Sequence, residues 1–343
     1  MVTFRFYLVS IVAFFLALAV GVVVGSVLDE GISNSLQDRL ERVEANLDDT
    51  VASIDDKNRE IEQFERYAEA SAPFAVQDRL LGTSTLVVAE AGVDGSPVED
   101  LVLRLRQAGS HVSGIVWLEP RWSLTEDEDK GRFAEIVDGA DLSVDQLHEA
   151  AWAELLAAAA PEGESSATTT TTTIGETPEG DDADTTAPGT PDEGEPLELF
   201  RDPVLVSLAD AGFLRLVEID GDDATGGAEL GVVAVTGTSS ELVVPGSAAV
   251  DLVEQTAALE VPSVLAEVYV DNSSDDQDPP QRGVIASAAA ERSTARYSTV
   301  DDLDLVAGRV AAALALDDQR HGLVGRFGYG PDVDGVLPRW PRP

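Results

Sequence analysis

The longest uncharged run of the sequence, residues Phe6 to Leu28, constrains the fold more than any other feature. The run has 23 residues. A helix rises about 1.5 Å per residue, so a helical run of this length covers roughly 35 Å. The hydrocarbon core of a bilayer is about 30 Å thick. We therefore predict a transmembrane helix, with a cleaved signal peptide as the alternative interpretation.

The flanks of this run favour a retained anchor and indicate its orientation. A signal peptide has a shorter apolar core and a small-residue cleavage site, and no A-x-A pattern follows Leu28. Arg5 precedes the run, whereas Asp29 and Glu30 follow it, and cytoplasmic flanks are enriched in Lys and Arg. We expect residues 1–5 to be a cytoplasmic tail and the bulk of the chain to lie outside, held by a single-pass anchor in the cell membrane or outer envelope.

Small residues recur every four positions along the predicted span, at Ala13, Ala17, Gly21 and Gly25. Gly21 and Gly25 form a GxxxG motif, a spacing that lets two helix backbones approach closely in lipid. The pattern predicts a helix-association face. The alternative is that Ala and Gly are simply common in membrane helices.

A heptad pattern over residues 30–72 follows the anchor and predicts a coiled coil that Pro73 ends. Thr50 and Lys57 interrupt its seam with polar side chains. The apolar seam positions, which alternate in steps of three and four residues, are Leu36, Leu40, Val43, Leu47, Ile54, Ile61 and Phe64. We favour a homo-oligomer formed through this helix and the anchor. The alternative is that the helix packs on its own globular domain.

The acidic composition limits the partners of the chain. Its 343 residues carry a formal net charge of -42, which would repel the phosphates of nucleic acids. The chain has no cysteine, so neither disulfides nor thiolate chemistry is available to it. We therefore exclude nucleic acid as a partner and expect a fold that needs no covalent cross-link.

Residues 80–330 alternate between strand-like and helix-like patterns, which predicts an α/β domain with a doubly wound, mostly parallel sheet. Its first unit is predicted as strand 85–89, helix 98–107 and strand 111–118, followed by a charged loop around Glu126 to Lys130. The later helices are predicted at 144–160, 202–211, 247–258, 284–290 and 306–319. The later strands are predicted at 213–219, 231–235, 264–269 and 295–300.

Residues 161–196 interrupt this domain. They include six consecutive threonines, Thr168 to Thr173, and Ile174 is their only large apolar residue. Such a segment buries too little apolar surface to offset its ordering entropy, so we predict a disordered Thr/Pro/acidic insertion. A carrier of O-linked sugar is the alternative interpretation. Residues 331–343 are predicted to form a flexible tail.

The sequence contains no pattern typical of an enzyme or of a bound cofactor. His111, His148 and His321 lie too far apart to form a metal-binding pair on one helix, and no nucleophile elbow or Walker A motif follows a predicted strand. Residues 237–239 and Ser247 lie where a doubly wound sheet places a ligand crevice, a signal that ordinary turns share. We therefore predict no enzymatic activity and no cofactor.

One acidic loop is a candidate metal site. Asp271, Asp275, Asp276 and Asp278 could offer carboxylate oxygens to a hard cation such as calcium. The loop lacks the glycine and the distal glutamate of an EF-hand, and acidic loops of this kind are common solvated surfaces. We favour the solvated surface.

A second acidic segment ends the last predicted strand, with Ser298, Thr299 and Val300 leading into Asp301 and Asp302. Asp side chains accept hydrogen bonds from the free amides at the start of a helix. We favour the interpretation that Asp301 or Asp302 caps the last helix or its entry turn.

Both ends of the sequence resemble the actinobacterial copper transport protein family typified by mycobacterial MctB. The resemblance rests on the run FRFYLVSIVAFFLALAVGVVVGS, the coiled coil after it, and STVDDLDLVAGRVAAALAL with residues 325–328. It implies an envelope protein, proposed to form a channel in the outer membrane and to keep intracellular copper low. It also implies copper ions as cargo and the segment from Ser298 to Asp302 as a family signature.

The residue types present favour a second hypothesis. Copper(I) prefers Cys and Met sulfur and copper(II) prefers imidazole, whereas this chain has no Cys, only Met1 and three scattered histidines. A single helix cannot enclose a channel, so any pore would require an oligomer. The alternative is therefore an envelope scaffold, in which the anchor and the coiled coil present the α/β domain to envelope partners without transport.

Overall fold

The computed structural model describes residues 4–160, 201–219, 228–237, 247–268, 284–285, 296–330 and 333–339. The chain divides into two compact units, residues 1–67 and 68–343. The predicted insertion at 161–196 lies outside the described residues. So does the candidate metal loop with Asp271, Asp275, Asp276 and Asp278.

One helix, α1, runs from Phe4 to Val76 and joins the predicted anchor to the predicted coiled coil. The prediction that Pro73 ends the helix is wrong, because α1 continues through it for three more residues. Proline lacks the N–H that would bond the Glu69 carbonyl, but this loss falls in the last turn. Burial of Ala72 and Val76 holds that turn in place.

No helix that is long and apolar enough to cross a membrane occurs in the part of the chain with described side chains. The predicted span, Phe6 to Leu28, extends beyond residues 9–23, the part of it whose side chains are described. The transmembrane helix therefore stays a prediction.

In the part of the chain that the structure describes, seven strands form one sheet in the second unit. They are β1 (Thr83–Glu90), β2 (His111–Leu118), β3 (Leu214–Val217), β4 (Glu229–Gly237), β5 (Ser263–Val268), β6 (Ser298–Val300) and β7 (Arg326–Phe327). Their order across the sheet is β3-β2-β1-β4-β5-β6-β7, and all neighbouring pairs are parallel except β2 with β3. The prediction of an α/β fold with a mostly parallel sheet is confirmed.

Helices cover both faces of this sheet. The helices after α1 are α2 (Gly95–Gln107), α3 (Asp127–Ile136), α4 (Val144–Ala159), α5 (Pro203–Asp210), α6 (Ala248–Ala258) and α7 (Val306–Arg320). Residues of α3 to α6 pack on one face, and α2, α7 and the end of α1 pack on the other. All eight residues of β1 are buried, because this central strand has helices above and below it.

The charged loop predicted around Glu126 to Lys130 is instead the beginning of α3. Asp127, Glu128 and Asp129 occupy its first turn, where negative side chains interact favourably with the helix dipole. Phe133 is fully buried on the inner face of this helix. The polar composition that suggested a loop is thus the signature of a helix start.

Residues 333–339 of the predicted tail fold back beside β7. The backbone N–H of Asp334 donates to the Arg326 carbonyl at 2.7 Å, and the Asp334 carboxylate accepts from the Arg326 N–H at 2.9 Å. The Gly328 N–H donates to the Gly335 carbonyl at 3.1 Å. These bonds place the tail next to the turn that follows β7.

Candidate functional site

Acidic side chains gather at the carboxyl ends of the parallel strands. Glu90 is the last residue of β1, Glu267 lies near the end of β5, and Asp301 and Asp302 directly follow β6. Parallel strands end at a common edge of the sheet, and ligands of open α/β folds usually bind outside that edge. We call these four residues the carboxyl-edge cluster and treat them as the candidate site.

Glu90 ends β1, the strand that lies between β2 and β4, and it is fully buried. Its carboxylate accepts from the hydroxyl of Ser247 at 2.5 Å, the hydroxyl of Thr236 at 2.7 Å and the backbone N–H of Ala249 at 2.9 Å. The start of α6 is a place where an open α/β fold could bind an anion. Here the protein's own carboxylate fills it. The crevice predicted at Ser247 is therefore occupied internally, and Thr238 and Ser239 lie outside the described residues.

We expect Glu90→Gln to lower the free energy of unfolding by about 1–2 kcal/mol. The amide oxygen still accepts hydrogen bonds, but the amide NH2 faces one of the former donors and leaves it unpaired. Urea denaturation of the full-length protein measures this loss. Glu99→Gln, at an exposed position of α2, makes the same change of net charge and should leave stability within about 0.5 kcal/mol of wild type. Equal effects of the two substitutions would contradict the role of Glu90.

Glu267 is the second buried carboxylate of the cluster. It accepts from the backbone N–H groups of Val284 at 2.7 Å and Ile285 at 3.3 Å. Burial raises the pKa of Glu267 to about 7, and the carboxylates of Asp301 and Glu90 act in the same direction, against the two N–H groups. Glu267 is therefore protonated over a pH range in which an ordinary glutamate is ionised.

Asp301 and Asp302 bind the loop that follows β7. The Asp301 carboxylate accepts from the backbone N–H of Tyr329 and of Gly330, each at 2.7 Å, and Asp302 accepts from Tyr329 at 3.3 Å. Burial raises the pKa of Asp302 to about 7, helped by the hydrogen bond to Asp301 and its charge. Asp302 is therefore protonated over a pH range in which an ordinary aspartate is ionised.

The cap by Asp301 or Asp302 that was predicted for the last helix or its entry turn is not found at the helix, and the hydrogen bond of the entry turn joins backbone atoms, from the Leu305 N–H to the Asp302 carbonyl. The residue before α7 is Leu305, which makes no side-chain cap, so both aspartates lie too far upstream to reach the first helical amides. Their carboxylates bond the loop after β7 instead. The structure thus brings the segment from Ser298 to Asp302 against a second segment that sequence reasoning left without a role.

Two glycines allow this contact. Gly328 has φ +129°, and a Cβ there would overlap the Asp301 carboxylate. Gly308, in α7, lies so close to the Asp302 carbonyl that a Cβ would collide with it. The repeated glycines of residues 325–330, shortly before the end of the chain, are the signal that could have indicated a tight backbone approach here.

The three histidines do not join the cluster. The His148 ring stacks on Trp122 with ring centroids 5.3 Å apart, its Nε2 donates to the Trp122 carbonyl at 2.7 Å, and burial lowers its pKa. His321 Nδ1 donates to the Asp317 carbonyl at 2.7 Å, and His111 begins β2. Among the described residues, no group of three or more His, Cys, Asp or Glu side chains is arranged to hold a metal ion.

A separate cavity of about 690 Å³ lies beside α2, β2 and β3. Its charged lining residues are Glu99, Glu119, Arg215 and Glu218. Arg215 pairs with Glu119 at 3.2 Å and covers the Trp117 ring at 5.1 Å. The apolar lining residues include Val93, Val102, Ile115, Trp117, Val217 and Ile219. No imidazole or sulfur donor is among the lining residues, so this cavity does not suit a copper ion.

The predicted helix-association face lies on α1. Ala13, Ala17 and Gly21 are exposed, and a Cβ added at Gly21 would meet no atom within 4 Å. The surroundings of Gly25 lie outside the described residues. The described part of this face, from Ala13 to Gly21, is exposed, and its association with a neighbouring helix stays a prediction.

Comparison with known proteins links the whole chain to copper transport proteins. Residues 1–338 match the family described as "Copper transport outer membrane protein, MctB". The chain is also 26% identical over 335 residues to a protein of Mycobacterium leprae (strain TN) described as "Copper transporter MctB". That alignment covers 96% of this chain and 97% of the relative.

Proposed function

The chain belongs to the MctB family of copper transport outer membrane proteins, and from this premise we propose that it limits copper accumulation from the cell envelope. The single observation that carries the proposal is the match over residues 1–338, which includes the N-terminal apolar run, the helix after it and the α/β domain. The family description names transport, in line with the expectation that the chain is not an enzyme.

We propose a single-pass topology for this role. Residues 6–28 anchor the chain, residues 1–5 face the cytoplasm, and the domain that begins near residue 80 lies outside. The uncharged run of 23 residues and the change from Arg5 to Asp29 and Glu30 across it support this arrangement.

Copper is cargo in this proposal, not a resident cofactor. Soft copper ions bind sulfur and imidazole most strongly, and the carboxylates of the cluster are oxygen ligands that already accept hydrogen bonds from the chain itself. The described carboxylates of one copy therefore offer copper only weak contacts. Weak contacts suit passage better than storage, and an enclosed path would be formed by several copies.

We expect deletion of the gene to raise total cell copper at least twofold under copper load, and the intact gene to restore it. Elemental analysis of washed cells measures copper, with zinc and manganese as internal controls that should not change. A matched strain carries the gene without residues 6–28, and it should fail to restore the wild-type level. Unchanged copper in the deletion strain would refute the transport proposal.

A second candidate function is an envelope scaffold. Apolar side chains of α1 that remain exposed in a single copy, among them Leu47, Ile54 and Ile61, favour it, because such a surface is typical of an association site. In that case deletion of the gene would leave total cell copper unchanged, while cross-linking in whole cells would capture the chain with envelope proteins.

A further inference from the structure

An apolar stripe of α1, which we call the seam, is uncovered in a single copy. It consists of Val43, Leu47, Ile54, Ile61 and Phe64, whose side chains are 52% to 66% exposed. They recur in alternating steps of three and four residues, with Thr50 and Lys57 completing the series. On a helix this spacing gathers the side chains along one line, the pattern of a coiled-coil interface.

The two polar positions of the seam have partners on their own helix. The Thr50 hydroxyl donates to the Asn46 carbonyl at 2.7 Å. The Lys57 ammonium pairs with the Glu60 carboxylate at 3.0 Å. Thr50 can therefore enter an interface without an unsatisfied hydroxyl, and the charge of Lys57 is balanced within each chain. Neither residue prevents the seam from pairing.

The order of apolar and polar positions selects one alignment of two copies. In a parallel, in-register pair each position meets itself, so Thr50 faces Thr50 and Lys57 faces Lys57 while every other layer is apolar. An antiparallel pair centred on this segment sets Lys57 against Leu47 or Ile54. A parallel pair shifted by one heptad sets Lys57 against Phe64. A polar residue at a single seam position specifies the register of a coiled coil in this way.

Buried residues at the end of α1 limit how far the seam extends along this helix. Ala72 and Val76 are buried in the core of the second unit. The seam therefore stops before these two buried residues.

We propose that a second copy of this chain covers the seam, and that the two α1 helices form a parallel, in-register, two-stranded coiled coil over residues 43–64. The pairing stands on the seam itself and does not depend on copper transport. It requires the two chains to enter the pair from the same end, as two copies anchored in one membrane would.

The absence of cysteine from the chain makes the test direct. Leu47→Cys, Ile54→Cys and Ile61→Cys are made singly in the full-length protein and treated with a short thiol-specific bifunctional reagent. Ala52→Cys, at an exposed position on the outer side of the helix, is the matched control. We expect all three seam variants to give cross-linked dimer at least about tenfold more than the control, because only seam positions of a parallel pair meet their own copies. Light scattering of the wild-type protein should give the mass of two chains.

Other outcomes overturn the proposal. Cross-linking confined to Ile54→Cys would indicate antiparallel chains. Cross-linking of Ala52→Cys equal to that of the seam variants would indicate random collision. A monomeric mass, or a mass above that of two chains, would exclude the two-stranded state. The copper measurement on the deletion strain is independent of all of these results, so failure of the pairing and failure of the transport proposal can be told apart.

Discussion

A Gly328→Ala chain is expected to lose about 3 kcal/mol or more of its free energy of unfolding. Gly328 has φ +129°, a backbone conformation that alanine rarely adopts, and the added Cβ would overlap the Asp301 carboxylate. Relief of the overlap requires Asp301 to abandon the N–H groups of Tyr329 and Gly330. Backbone strain and lost hydrogen bonds therefore both lower the free energy of unfolding. Urea denaturation followed by tryptophan fluorescence measures the total loss.

Two other glycines distinguish the effect of backbone strain from the effect of the overlap with Asp301. Gly322 also has a positive φ, +75°, but a Cβ there meets nothing within 4 Å, so Gly322→Ala should cost only about 1–2 kcal/mol. Gly131 lies inside α3 with open space around it, and Gly131→Ala should stabilise the chain by up to about 1 kcal/mol. If Gly328→Ala costs no more than Gly322→Ala, the contact with Asp301 is not what requires glycine.

The second large effect is a pH dependence carried by Glu267. Its folded pKa of about 7 lies above the ordinary value of 4.5, so the folded state binds more protons than the unfolded state between these values. The free energy of unfolding therefore falls as pH rises through this window, and the contribution is present below pH 4.5 and lost above pH 7. At about 1.4 kcal/mol per pKa unit, the loss is about 3 kcal/mol.

Glu267→Gln should remove this slope. Glutamine does not titrate, so the variant loses the slope. Its amide NH2 replaces one oxygen that accepts a backbone N–H, and this lowers stability by a similar amount at every pH. Asp302, whose pKa is also raised to about 7, titrates in both proteins, so the difference between the two curves isolates Glu267. Glu218→Gln, at an exposed position, is the control and should run parallel to wild type. Parallel curves for Glu267→Gln and wild type between about pH 4 and pH 8 would contradict the assignment.

The regular elements of the domain were largely predictable from local pattern. The strand predicted at 111–118 coincides with β2, and the helix predicted at 306–319 is one residue shorter than α7. Apolar periodicity reports such elements because each must bury one face or both. The start of α3 escaped prediction because three acidic residues, Asp127 to Asp129, look the same in a loop and in a first helical turn.

The candidate site was predictable only in part. The segment from Ser298 to Asp302 stood out in the sequence, but its partners Tyr329 and Gly330 follow 27 or more positions later and interact through backbone N–H groups. Every residue except proline has a backbone N–H, so the residue type does not indicate which N–H groups will bind a carboxylate. Glu90 was missed for a similar reason, since its partners Thr236 and Ser247 are ordinary residues until the fold brings them together.

By itself, the sequence determined the α/β class, the long N-terminal helix and the family. The spacing of apolar residues and the motifs at the two ends of the sequence depend only on positions that are close together in the chain. Only the tertiary structure decided which carboxylates are buried and what satisfies them. The order of strands places β1, which Glu90 ends, between β2 and β4, and it places Glu267 beside Asp301. Burial then raises the pKa of Glu267. Burial and hydrogen bonding depend on residues brought together from distant positions, so no local pattern contains them.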